Sequence, residues 1–237
     1  MGWYQKFYER EGPGIAKDAP KPRGLRALFR ILADNWKALV QLNLIFLLYC
    51  LPVFTIGAAL GALHSVTLMM ARDEPGSAVS DFRAAFREQF KRYSCFGWIG
   101  VIGFVLSSAA LCVYFTFSLQ SRIYLPCFLF AIVVTLLFGL AWIFVLPLAE
   151  LTDLRCAALL RNALLLGAGY VKYTFPTLLC EAVLVFGTLL FLPILWIPLL
   201  TFTCSLLSLL NSFTAWAGIQ KYICLKPETK MTERTGV

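Results

Sequence analysis

Apolar and charged positions along this chain are segregated into long blocks. No charged residue occurs between Lys37 and Arg72, a run of 34 positions, and two further charge-free runs of 28 and 27 cover Ser94–Ser121 and Ile123–Ala149. From Tyr173 to Gln220 the only charge in 48 residues is Glu181. An α-helix rising 1.5 Å per residue crosses a hydrocarbon layer in about 20 residues. The first and last blocks hold two such helices each, and the middle blocks one each. Proline marks the breaks, because it lacks a backbone donor and clashes with the preceding turn. Pro52 divides the first block, and "LPILWIP" (Leu192–Pro198) divides the last. The pattern predicts an all-α, polytopic membrane helix bundle with six transmembrane helices, at about 36–51, 55–71, 94–120, 123–149, 174–192 and 199–220. The first two are short, about 24–26 Å each by helix rise. A full hairpin and a re-entrant loop both fit them, and the flanking charges do not separate the two.

Composition agrees with that pattern. The chain is 59% hydrophobic and 14% charged, against about 45–50% and about 25% in soluble domains. Of its 21 basic residues, all but Arg122 fall in segments that the six-helix layout puts on one side. The positive-inside rule assigns that side, and with it both termini, to the cytoplasm. The layout has a basic N-terminal segment (1–35), a transmembrane domain (36–220) and a cytoplasmic tail (221–237). Anionic lipid headgroups account for the basic excess, so no nucleic acid partner is expected. No signal peptide is expected near the start. The eight cysteines never form Cys-x-x-Cys and mostly lie inside the predicted helices, where they read as small apolar fillers.

Two cytoplasmic segments carry pattern of their own. In "SDFRAAFREQFKRY" (80–93), Phe82, Phe86, Phe90 and Tyr93 share one face, and Arg83, Arg87 and Lys91 share the adjoining one. An aromatic face beside a basic one suits an amphipathic helix at the membrane surface or one docked on a partner subunit. The loop Glu150–Tyr173 reads as a short interfacial helix entered through Thr152-Asp153.

Four polar residues lie inside predicted helices: Asn43, His64, Glu181 and Asn211. Counted from the cytoplasmic ends, all sit at a similar depth of roughly 10–14 Å. They therefore fit one polar cluster, with His64 the natural partner for a buried Glu181. The competing reading is interhelical hydrogen bonding alone. Gly57 and Gly61, after the Pro52 and Thr55 turn, allow close helix packing. Trp36, Trp98 and Trp196 fall near predicted interfaces.

Three stretches resemble a known family: "EREGPGIAKDAPKPRG", "NLIFLLYCLPVFTIGAALGALHSVTLMMARDE" and "SDFRAAFREQFKRY". They are similar to the YesL-like family of bacterial membrane proteins, a domain of unknown function. The Leu-Pro-x-x-Thr-x-Gly turn followed by the phenylalanine-rich segment is the most specific part. The resemblance implies a Gram-positive type of bacterium and a location in its cytoplasmic membrane. Genes of that family tend to lie beside carbohydrate ABC importers, sensor kinases and glycoside hydrolases. No catalytic residues are established for it, so none is carried over.

Enzyme motifs are missing from the sequence. One histidine rules out an HExxH site, and no nucleophile elbow or phosphate-binding glycine pattern occurs. No cofactor is expected. The leading expectation is a non-catalytic accessory or regulatory subunit linked to carbohydrate uptake. Its partner would be an ABC permease or a sensor kinase, and a homo-oligomer also fits. The alternative is a small transporter with a polar site around Asn43, His64 and Glu181.

Overall fold

The computed structural model describes residues 24–190 and 202–221. Expectations placed on residues 1–23, on the Leu192–Pro198 turn and Trp196, and on the tail from 222 lie outside the described residues. Eight α-helices are described: α1 (Leu25–Cys50), α2 (Ile56–Ala71), α3 (Ala78–Glu88), α4 (Phe90–Gln120), α5 (Leu125–Leu151), α6 (Cys156–Gly169), α7 (Val171–Leu190) and α8 (Cys204–Ile219). No strand occurs among the described residues.

Four helices are long and apolar enough to cross a membrane: α1, α2 with its leading turn, α4 and α5. A fifth is reached if α6 and α7, bent by 97° between Gly169 and Val171, count as one broken crossing. The sequence pattern divided this material differently. α1 begins at Leu25 rather than at Trp36, so it is 26 residues long and rises about 39 Å. The single amphipathic helix expected at 80–93 is two pieces, because the chain leaves helical geometry at Gln89. α6, the helix expected between Glu150 and Tyr173, buries one face and leaves the other exposed. Leu159 and Ala163 are fully buried, and a Cβ added at Gly167 would meet the Leu140 carbonyl oxygen at 2.6 Å. α6 therefore folds back along α5, driven by the burial of its Leu/Ala face.

At the Pro52 turn, Val53–Thr55 form one 3-10 turn, and the Thr55 hydroxyl lies 2.6 Å from the Pro52 carbonyl oxygen and 2.5 Å from that of Tyr49. The side chain thus satisfies carbonyls that the end of α1 leaves open. α2 then runs antiparallel to the start of α4 at backbone contact. A Cβ on Gly57 would meet the Ser94 carbonyl oxygen at 2.8 Å, a Cβ on Gly97 would strike the Gly57 backbone, and Gly61 lies under the Tyr93 ring. The glycines expected to allow close packing do so within this chain.

The indole N–H of Trp98 donates to the Phe54 carbonyl, 3.2 Å away, so the Pro52 turn meets α4 near its start. The 22 residues from Ile99 to Gln120 continue beyond that point, a rise of about 33 Å. They pair with α5 in a long hairpin, held by Phe104 against Phe138 (ring centroids 5.1 Å apart) and Phe115 against Phe128 (5.6 Å). Val105, Leu106, Leu119, Phe130 and Val133 project from it, all exposed. The two hairpins therefore do not end at one level, and the part of α4 beyond Trp98 is by itself about as long as the roughly 30 Å thickness of a hydrocarbon layer. Below the arm, one core gathers Phe96, Phe144, Leu148, Leu159 and Ala215, and a second gathers Leu42, Phe46, Ala59, Leu63 and Phe82.

Gly97→Val places two methyl groups in the Gly57 backbone and is expected to destabilise the protein by about 3 kcal/mol. Gly187→Ala meets nothing within 4 Å and is expected to be neutral or stabilising by about 0.5–1 kcal/mol. Thermal unfolding of both variants in detergent, monitored by tryptophan fluorescence, checks the contrast.

Candidate functional site

The buried polar groups converge on α8. Within its sequence "CSLLSLLNSFTAWAGI", Ser205, Ser208 and Ser212 fall within about 60° of one another around the helix, and all three are buried. Thr67 of α2 stands between two of them, its Oγ1 2.8 Å from Ser208 Oγ and 2.9 Å from Ser212 Oγ. The same oxygen lies 3.1 Å from the Leu63 carbonyl oxygen. A hydroxyl has one proton and two lone pairs, so Thr67 satisfies all three contacts by donating to Leu63 and accepting from both serines. Asn43 reaches the first turn of α8, where its Oδ1 accepts the Ser205 N–H at 3.0 Å. That amide belongs to the turn whose donors have no partner within the helix.

His64 and Glu181 do not meet as the sequence suggests. The His64 Nδ1 is 3.5 Å from Ser212 Oγ, whereas the Glu181 carboxyl lies beside the Asn211 side chain. Thr177 and Thr214, 2.9 Å apart, join α7 to α8 a turn away. The four residues expected in one cluster are thus distributed between two pairs and one cap. Asn211 and Ser212 are adjacent on α8, but their side chains leave the helix about 100° apart and engage different neighbours. Glu181 Oε1 and Asn211 Oδ1 are buried with no hydrogen-bond partner among the described residues.

A second polar node sits where α2, α4 and α5 meet. Glu150, in the last turn of α5, accepts from Ser65 Oγ on Oε1 at 3.0 Å. Its Oε2 accepts from the Tyr93 hydroxyl and, at 3.5 Å, from Gln89 Nε2. One turn before Cys95, Arg92 pairs with Asp153 at 3.0 Å and donates to the Thr152 carbonyl. From the sequence, Glu150 read only as the start of a loop and Tyr93 only as part of a docking face. Separations of 57 to 85 residues in sequence hid the node, though a lone carboxylate ending a charge-free run was its visible sign.

The expected docking face is corrected by its burial. Phe82 is 0% exposed and Tyr93 1%. Tyr49 of α1 packs edge-on against Phe82 and Phe86, with ring centroids 5.4 and 4.7 Å away, and Phe86 meets Phe90 at 5.3 Å. The rings turn inward because that is where their large apolar area leaves water. Arg83 and Arg87 stay outside and exposed, with no ion pair among the described residues. Among those residues no group of three His, Cys, Asp or Glu side chains is placed to hold a metal ion.

Removing the Thr67 hydroxyl in Thr67→Val leaves Ser208 and Ser212 without their shared acceptor and is expected to cost about 1–2 kcal/mol. Tyr93→Phe removes one donor to Glu150 and is expected to cost about 1.5–3 kcal/mol, as befits a bond to a charged acceptor. Detergent unfolding curves of the two variants test both values.

The model of a family described as "Protein of unknown function, DUF624" matches residues 39–112. This segment runs from α1 through the Pro52 turn, α2 and α3 into the arm, and contains both Tyr93 and the glycine contacts. No curated protein and no solved structure matches the chain. Residues 39–112 are thus similar to an uncharacterised domain family.

Proposed function

We propose that this chain is a non-catalytic accessory or regulatory membrane subunit that works with a carbohydrate ABC importer or its sensor kinase in a bacterial cytoplasmic membrane. The observation that carries this reading is the outward row of α3. With its phenylalanines turned inward, α3 offers a partner the exposed guanidinium groups of Arg83 and Arg87, unpaired among the described residues. Such a row suits an acidic patch on another subunit. The hydroxyl contacts of α8 support the same reading, since they join helices to one another. The resemblance to the YesL-like family supplies the link to carbohydrate uptake. Both termini face the cytoplasm in this proposal, and a first hairpin that re-enters returns the chain to the same side as one that crosses.

The second reading, a small transporter, is favoured by the Glu181–Asn211 pair, two of whose buried oxygen atoms have no hydrogen-bond partner among the described residues. Beside it, an apolar groove of about 530 Å³ is lined by Cys180, Val183, Leu184 and Leu210 together with Leu28 and Leu32.

Crosslinking in native membranes, gentle extraction and mass spectrometry separate the two. Wild-type protein is expected to bring down a stoichiometric permease or kinase, and Arg83→Glu combined with Arg87→Glu is expected to reduce that recovery about tenfold. Recovery of the chain alone would remove the subunit reading. Solute flux in reconstituted vesicles that is lost on Glu181→Gln but kept in the arginine double variant would establish the transporter instead.

A further inference from the structure

Cys95 and Cys156 are 61 positions apart and share no motif, yet the fold brings them together. The Arg92–Asp153 ion pair and the Arg92–Thr152 hydrogen bond clamp the first turns of α4 to the loop before α6. Cys95 follows Arg92 by three residues on α4, on the same side of the helix. Cys156 follows Asp153 by three and opens α6. The clamp therefore carries the two thiols to one place, close enough for that of Cys156 to perturb that of Cys95. Both residues are exposed. Each also lies at a polar edge: Cys95 is the second residue of its charge-free run, and Cys156 follows Arg155. A water-borne reagent reaches them there.

We propose that Cys95 and Cys156 form a reversible dithiol–disulfide site that takes its oxidising equivalents from a low-molecular-weight disulfide. One cysteine thiolate attacks a sulfur of the small disulfide, forming a mixed disulfide and releasing one small thiol. The second protein thiolate then attacks the cysteine sulfur of that mixed disulfide, forming the Cys95–Cys156 bond and releasing the second small thiol. The protein loses two electrons and two protons, and the small disulfide becomes two thiols. Proximity makes the second step intramolecular, which favours ring closure over a second adduct. The bond staples α4 to the start of α6, and so to the bent segment that carries Glu181.

The other described cysteines differ in setting. Cys112 and Cys127 belong to the apolar arm and Cys180 to the face of α7, while Cys50 and Cys204 pack half-buried against an apolar core. Hydrocarbon neighbours keep a charged small disulfide away from them.

The test uses the full chain in native membrane vesicles, exposed to oxidised glutathione, then digested without reduction and mapped by mass spectrometry. The expected dominant product is the Cys95–Cys156 peptide pair, lighter by two hydrogen atoms and separated by dithiothreitol. Cys95→Ser and Cys156→Ser should each abolish the linkage and leave the remaining cysteine carrying one glutathione. Cys50→Ser should leave the linkage intact. Wild-type protein carrying glutathione on both cysteines without a bond between them would overturn the proposal. So would a Cys50–Cys204 linkage forming first. Both of these outcomes are read on wild-type protein, so they do not depend on how a variant folds.

Discussion

The junction at Glu150 depends on a rule that governs the rest of the molecule: a polar group withdrawn from water must find a partner within the protein. A half-buried carboxylate at the end of an apolar helix satisfies this by collecting Ser65 from α2 and Tyr93 and Gln89 from the start of α4. These contacts hold three helices in one register. They hold only because α2 and α4 approach at backbone distance, and that approach requires glycine at 57, 61 and 97. The polar node and the glycine contact are two aspects of one interface. Loosening the glycines would move Tyr93 away from its acceptor, and removing the acceptor would leave the Tyr93 hydroxyl buried without a partner.

The same rule organises α8. A helix of 16 residues is short for a crossing, and its serines would weaken it further if they faced hydrocarbon. Turned inward, Ser208 and Ser212 share Thr67, and Ser205 receives its cap from Asn43. Hydroxyl contacts of this kind contribute modestly one at a time, about 0.6–2 kcal/mol. Their larger effect is on orientation, because a rotated α8 would strand several of them at once. The Glu181–Asn211 pair departs from this pattern, with two atoms that have no hydrogen-bond partner among the described residues. Unmet buried hydrogen-bonding capacity is costly, which is why that pair carries the transporter reading.

The inner body and the α4–α5 arm differ in what covers them. In the body, apolar side chains from several helices bury one another. Along the arm the two helices are joined by ring contacts such as Phe104–Phe138 and Phe115–Phe128, and many bulky apolar side chains are exposed. An exposed surface of that extent suits hydrocarbon rather than water. Turning the α3 phenylalanines inward has a similar logic. Once Tyr49 and the second core take up their apolar area, the outward side keeps only short and charged residues, and recognition there rests on Arg83 and Arg87.

The sequence by itself determined that the chain is helical and carries several helices long and apolar enough to cross a membrane, because charge-free runs of that length are read directly from the order of residues. It pointed to the Pro52 turn, because proline lacks a backbone donor and clashes with the turn before it, and it marked Gly57 and Gly61 as packing positions, because small residues permit contact in any bundle. It also put Arg83 and Arg87 on a face apart from the phenylalanines, since helical periodicity is local. Only the tertiary structure decided which face of α3 turns inward, that α6 folds back along α5, and that the first hairpin ends at Trp98. It alone separated His64 from Glu181 and brought Glu150 to Tyr93 and Cys95 to Cys156. Equal depth along separate helices leaves their relative rotation and crossing undetermined. Those are set by contacts between residues far apart in the chain, which no local pattern records.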